Sequence, residues 1–280
     1  MKMEEKEKKL LQLLTPMVQK GLCVAFSGGV DSAVLLKLAT VCAEKNGGEV
    51  QAVTFATQLH PPADEKEAKR VAEEFGVSLA VIRIDEFTNP VIMKNPVDRC
   101  YHCKYMLFEK LIEFAKKSNL DTVADGTNYD DLSEYRPGLR ALKELKIRSP
   151  LAECGLSKQE VRALAEKWEI SVKNKPSSPC LATRLPYHTQ ITRSVLRQIA
   201  AGEEILKTHG FPVNRLRLHK KIARIEIPKE QFSEFLEKSQ NFIPLLKKIG
   251  FDYITLDMEG FRSGSMDETI LKNSRNMKEF

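Results

Sequence analysis

Ser27-Gly28-Gly29-Val30-Asp31-Ser32 stands between an apolar, strand-sized run, Leu22–Phe26, and a helical pattern, Asp31–Glu44. Two adjacent glycines let the backbone approach a ligand closely and adopt positive φ. The N–H groups of the loop and of the first helical turn then converge on one point. An anion is stabilised there by about 0.3–1 kcal/mol per charged contact with the helix dipole. Ser27 and Ser32 add hydroxyl donors. The loop carries no lysine, so it is not the phosphate loop that ends in Gly-Lys-Ser/Thr. It reads as a phosphate loop of another kind.

Working outward, Val50–Phe55, Leu79–Ile84 and Thr122–Ala124 are further strand-sized apolar runs, and Asp64–Phe75 and Lys104–Lys117 have helical periodicity. Strands alternating with helices predict an α/β fold: a parallel sheet with helices on both faces. Such sheets bind ligands at the carboxyl ends of their strands, where the glycine loop lies. Lys173–Thr189, with three prolines and no periodicity, reads as a boundary loop. Beyond it, Thr192–His209 and Phe232–Ile249 read as helices, and Arg215–His219 with Ala223–Ile227 as a hairpin around Lys220-Lys221. Phe251–Leu256 reads as a last strand. The predicted organisation is a nucleotide-binding domain at 1–172, a linker or active-site loop at 173–189 and a smaller α+β domain at 190–280.

The 280 residues are 42% hydrophobic and 29% charged, enough apolar residues for a packed core. No run reaches the roughly 18 apolar residues of a membrane helix, and Met1–Lys9, mostly Glu and Lys, lacks the apolar stretch of a signal peptide. The expected location is the cytoplasm. Charge is uneven: residues 181–280 hold 17 Lys and Arg against 12 Asp and Glu, densest from Arg215 through Arg217, Lys220 and Lys221 to Arg224. Such a stretch attracts anions, unless it is only a solvated face.

Six cysteines in a reducing compartment do not imply disulfides. Cys23, Cys42 and Cys154 sit in apolar or small-residue surroundings and read as core filler. Cys100 and Cys103 form a CxxC pair, and Cys180 follows a Pro- and Ser-rich loop.

Ser27–Ser32 after a first strand resembles the loop of the PP-loop ATP pyrophosphatases. Further stretches narrow the resemblance: Asp125-Gly126-Thr127-Asn128 and Asp130-Asp131; Tyr135-Arg136-Pro137-Gly138; Arg148-Ser149-Pro150-Leu151; Lys175-Pro176; Pro179-Cys180-Leu181-Ala182-Thr183-Arg184; Ala223-Arg224-Ile225-Glu226; and Gly260-Phe261-Arg262-Ser263-Gly264-Ser265. Together they resemble the LarE family, ATP-dependent sulfur transferases of nickel-pincer nucleotide synthesis. The resemblance runs from the first strand to about Met266. It implies that Ser27–Ser32 with Gly126, Thr127 and Asn128 binds ATP, and that a carboxylate of a pyridinium biscarboxylate mononucleotide is adenylated and then thiolated. Mg²⁺ would neutralise phosphate charge with Asp31 as its carboxylate, although Asp31 could equally cap the helix. Arg184, Arg215, Arg217 and Arg262 match positions that gather the substrate's phosphate and carboxylates, for which planar guanidinium groups are suited. Glu203 and Glu226 match acidic positions near sulfur transfer, or pair ordinarily with arginines. The family's habit of assembling implies a homo-oligomer.

Two sulfur sources are open. In one, Cys180 gives up its own sulfur. In the other, Cys100, Cys103 and Cys180 hold a [4Fe-4S] cluster whose fourth iron, free of protein ligands, carries a sulfide; the CxxC spacing and the resemblance favour this one. A zinc site completed by His102 or His188, or a redox dithiol, fits the CxxC as well. The rival functions are a tRNA-thiolating enzyme and a nucleotide-binding Fe-S redox sensor without catalysis. A net charge of +6 with no aromatic-interleaved basic platform argues against RNA. The sulfide donor is not legible.

Overall fold

The computed structural model describes residues 2–133, 136–175, 179–262 and 265–266; Tyr135, Pro176 and Ser263-Gly264 of the stretches quoted above lie outside them. The chain forms two compact units. The first is Met1–Ile92 with Val97–Ser178, and the second is Met93–Pro96 with Pro179–Phe280.

In the first unit the order is α1 (Met3–Gln19), β1 (Leu22–Ala25), α2 (Val30–Asn46), β2 (Val50–Thr57), α3 (Pro62–Glu74), β3 (Leu79–Ile84), α4 (Pro90–Met93, whose last residue belongs to the second unit), α5 (Arg99–Lys117), β4 (Thr122–Ala124), α6 (Gly138–Glu144), α7 (Pro150–Glu153) and α8 (Lys158–Lys167). The sheet is parallel, in the order β3-β2-β1-β4. Alternation along β1 makes its two faces. Leu22 and Val24 pack with α1, α2 and α8, while Cys23 packs with Leu107, Phe108 and Leu111 of α5 and Leu142 of α6. Burial pushes the Cys23 thiol up to about 12, and it raises Cys42 and Cys154 too, so these three are inert core residues.

Besides the short α4, α6 and α7, two longer helices went unread in the sequence. The Lys- and Glu-rich start of α1 hides an apolar stripe, Leu10, Leu14, Met17 and Val18, which is buried against the sheet. The start of α8 is a capping box: the Ser157 hydroxyl accepts from Glu160 N, and the Glu160 carboxylate accepts from Ser157 N. A third helix, α5, begins at Arg99 rather than Lys104, so Cys100 and Cys103 lie within its first turns and not ahead of it.

The second unit holds α9 (Arg193–Thr208), β5 (Arg215–His219), β6 (Ile222–Glu226), α10 (Phe232–Lys248) and β7 (Tyr253–Leu256). β5 and β6 form the hairpin expected around Lys220-Lys221, and β7 adds in parallel to β6. Its core is aromatic: the rings of Phe211, Phe235 and Phe242 have centroids 4.8–6.0 Å apart. Met93–Pro96 is stitched into this unit. Fully buried Asn95 donates through its side chain to Pro186 O at 2.8 Å, and its own carbonyl accepts from His188 N.

Candidate active site

After β1 the chain crosses to β2 and β3 on one side before returning to β4 on the other. The switch point of the sheet therefore lies between β1 and β4. Ligands collect at the carboxyl ends flanking such a point. The loop Ser27–Gly29 follows β1, and Asp125–Asn128 follows β4. Gly126 lets the two meet, since a Cβ there would lie 2.8 Å from Ser32 N. Within the loop the Ser27 and Ser32 hydroxyls are 3.2 Å apart, Gly29 N donates to Ser27 Oγ, and Ser32 Oγ donates to Gly29 O. The first-turn N–H groups of α2 have no carbonyl a turn earlier and are available to an anion.

Asp31 does not cap α2, whose N-cap is Gly29 without a side-chain bond. Its carboxylate instead receives Asn128 Nδ2 at 3.2 Å and the ammonium of Lys158, the first residue of α8. Asn128 is held in turn: its side-chain oxygen accepts from Asp130 N and Asp131 N. Thr127 and Ser149 hydroxyls, with Thr127 N, bond the buried Asp125, which also faces Lys104 Nζ at 3.3 Å. Asp31 is thus a carboxylate that already attracts a cation, which suits it to Mg²⁺ carried by a nucleotide.

Gly28 has φ +68°, and a Cβ there would lie 2.9 Å from Ala68 N and Cα. Gly28→Ala combines a left-handed residue with a backbone clash, so the loop must move. We expect ATP consumption to fall at least tenfold, about 1.4 kcal/mol, with the fold kept by circular dichroism. Wild-type turnover in this variant would remove the loop from the reaction.

Cys100 is exposed and Cys103 half-buried, three residues apart on α5, and Arg99 Nη2 lies 3.5 Å from Cys100 Sγ. Neither is in a disulfide. Soft thiolates on one face beside a guanidinium fit two ligands of an iron–sulfur cluster. His102 is turned to Asp98, with Nε2 3.3 Å from its carboxylate. Within either unit no three His, Cys, Asp or Glu side chains gather as a metal site among the described residues.

Cys180 belongs to the second unit and begins the turn Leu181–Arg184. Arg184 and Arg217 do not lie on a solvated face: they are 2% and 5% exposed. Arg184 forks onto Glu203 at 2.8 and 3.0 Å and donates to the carbonyls of Pro179 and Cys180. Arg217 forks onto the fully buried Glu226 and donates to Thr183 O. Both cations therefore grip the turn that carries Cys180. Glu226 also accepts from Arg224 and from Ser265 Oγ. Asp257 accepts from Arg262 and pairs with Arg224. Burial raises its pKa, but Glu259 N and the two arginines outweigh that and hold the carboxyl below its ordinary value. Arg215 lies over the Phe261 ring at 5.2 Å, and its guanidinium is pulled down to about 10, chiefly by burial and next by Arg184. It stays charged at neutral pH among other cations, an environment that an anion would relieve.

In the first unit Lys158, Asp125 and Lys104, and in the second Arg224 and Asp257, enter these networks without a role having been expected of them, although Asp125 and Arg224 stand in stretches quoted above. Of the other three, only Lys158 carried a local signal, the capping box one residue before it.

A PP-loop domain profile matches residues 2–135. Over 249 residues the chain is 36% identical to the pyridinium-3,5-bisthiocarboxylic acid mononucleotide synthase of Lactiplantibacillus plantarum, covering 89% of this chain and 90% of that protein. An uncharacterised Synechocystis protein is 36% identical, with 89% and 92% covered. The tRNA-specific 2-thiouridylase of Roseobacter denitrificans is 29% identical, covering 70% of this chain and 60% of that enzyme. With similarity of that extent reaching across both units, the chain belongs to the LarE family of PP-loop, ATP-dependent sulfurtransferases.

Proposed function

We propose that this enzyme converts the carboxylates of pyridinium-3,5-biscarboxylic acid mononucleotide into thiocarboxylates. A carboxylate is a poor acyl donor, whereas its mixed anhydride with AMP has a good leaving group. The loop Ser27–Ser32, with Gly126, Thr127 and Asn128, holds ATP so that a substrate oxygen attacks the α-phosphorus and pyrophosphate leaves. Arg215 and Arg262 gather the substrate's phosphate and carboxylates, while Arg184 and Arg217, expected to join them, are buried and paired and instead hold the turn that carries Cys180. Glu203 and Glu226 hold the arginines in place by fork-to-fork pairing. The observation that carries this reading is the similarity to the synthase over both units. The thiouridylase covers less of the chain at lower identity.

Cys100, Cys103 and Cys180 are the proposed sulfur centre. Cys100 lies four residues past Pro96 and Cys180 two past Ser178, so each is close in sequence to a crossing between the units. Cys100, Cys103 and Cys180 would hold a [4Fe-4S] cluster, and the chemistry it would supply is the carrying of a transferable sulfide. Anaerobic purification with iron and sulfide analysis tests this. About four irons per chain are expected, and Cys100→Ala should lose them. An iron-free protein that makes thiocarboxylate while Cys180 loses its sulfur would replace the cluster by the sacrificial route. Failure to release pyrophosphate from ATP with the biscarboxylate present would overturn the function itself.

A further inference from the structure

The loop has no lysine of its own, yet a bound triphosphate brings several negative charges to it. Tertiary structure delivers one. Lys175, 147 residues on in the chain, places Nζ 3.2 Å from the Gly28 carbonyl. Gly28 is the loop residue at φ +68°, ahead of α2 and packed against Ala68 of α3. An ammonium has three N–H donors, and the bond to Gly28 uses one. Glu67 of α3 also feels this cation: its carboxyl is held below the ordinary range chiefly by Arg70, with a smaller contribution from Lys175. Lys158 is differently placed, since its ammonium is engaged by Asp31.

We propose that Lys175 is a catalytic cation of the phosphate loop, donating to the β- and γ-phosphates of ATP and stabilising pyrophosphate as it departs. This rests on ATP binding at Ser27–Ser32. In the step concerned, a carboxylate oxygen forms a bond to the α-phosphorus and the bond from that phosphorus to the bridging oxygen breaks. The electron pair leaves with pyrophosphate, and acyl-adenylate remains. Negative charge grows on the leaving group, next to the ammonium that Gly28 holds in position. A Walker lysine lies within its own loop. Here the same charge arrives from a distant segment, the Lys175-Pro176 stretch, and its place beside the loop comes from the fold.

The distinguishing test is which part of the nucleotide feels the loss. Lys175→Met should weaken pyrophosphate inhibition and raise the KM for ATP by about 10- to 100-fold, the range expected for a hydrogen bond to a charged group. AMP affinity should stay within about twofold, because AMP lacks the phosphates concerned. Lys175→Arg should recover most of the pyrophosphate affinity. Equal weakening of AMP and pyrophosphate would mean that Lys175 only shapes the loop, and unchanged pyrophosphate inhibition would mean that it does not reach the phosphates. Either result overturns the proposal. A wild-type protein that binds neither ATP nor pyrophosphate would instead remove the loop assignment on which the proposal depends.

Discussion

Glu226→Ala should cost about 3–5 kcal/mol of stability, the range for removing one partner of a buried ion pair. Glu226 is completely buried, and its carboxylate accepts four hydrogen bonds, two from Arg217 and one each from Arg224 and Ser265. Taking it away leaves Arg217, itself nearly buried, with its charge uncompensated and only Thr183 O as a remaining acceptor. The effect belongs to the second unit. The single tryptophan, Trp168, lies in the first unit and donates to Glu7, so its fluorescence reports the wrong part of the molecule. Urea titration followed by amide hydrogen exchange in β5 and β6 is the appropriate measurement. Replacing the pair together, Arg217→Met with Glu226→Met, should recover much of the loss, since an apolar pair of similar volume is often as stable as a buried ionic one. A loss below about 1 kcal/mol for Glu226→Ala would place it with exposed pairs and contradict the burial described here.

Cys180→Ser should abolish thiocarboxylate formation while leaving ATP cleavage in place. Both proposed sulfur sources require this thiol, as donor or as ligand, and a hydroxyl contains no sulfur and is a hard, poorly ionised ligand. The loop proposed to hold ATP for adenylation follows β1, in the other unit. The backbone around Cys180 is anchored independently of its side chain, because Arg184 holds the Cys180 carbonyl and Thr183 bonds the same oxygen. The expected result is pyrophosphate release with substrate present in a single turnover, and no sulfur-containing product by mass spectrometry. Thiocarboxylate formed by Cys180→Ser at a rate near wild type would assign the sulfur elsewhere. Loss of both activities with the fold intact would show that Cys180 acts before adenylate forms.

The α/β character, the position of the loop, and the hairpin around Lys220-Lys221 follow from local information: apolar periods of two and about 3.6 residues, and glycines where the chain turns sharply. The CxxC pair and the cluster of arginines are likewise visible as residue types at short spacing. Helix α1 was hidden because its charged start masks a stripe that makes sense only once a sheet lies beneath it.

Pairing across the chain was decided by tertiary structure alone. Nothing near Asp31 in sequence announces Lys158, nothing near Gly28 announces Lys175, and whether the run Arg215–Arg224 is a solvated face or a paired cluster is decided only when Glu226 and Asp257 close on it. The physical reason is that a charge is buried only where an opposite charge meets it, and the meeting partner is set by how strands and helices pack rather than by neighbours along the chain.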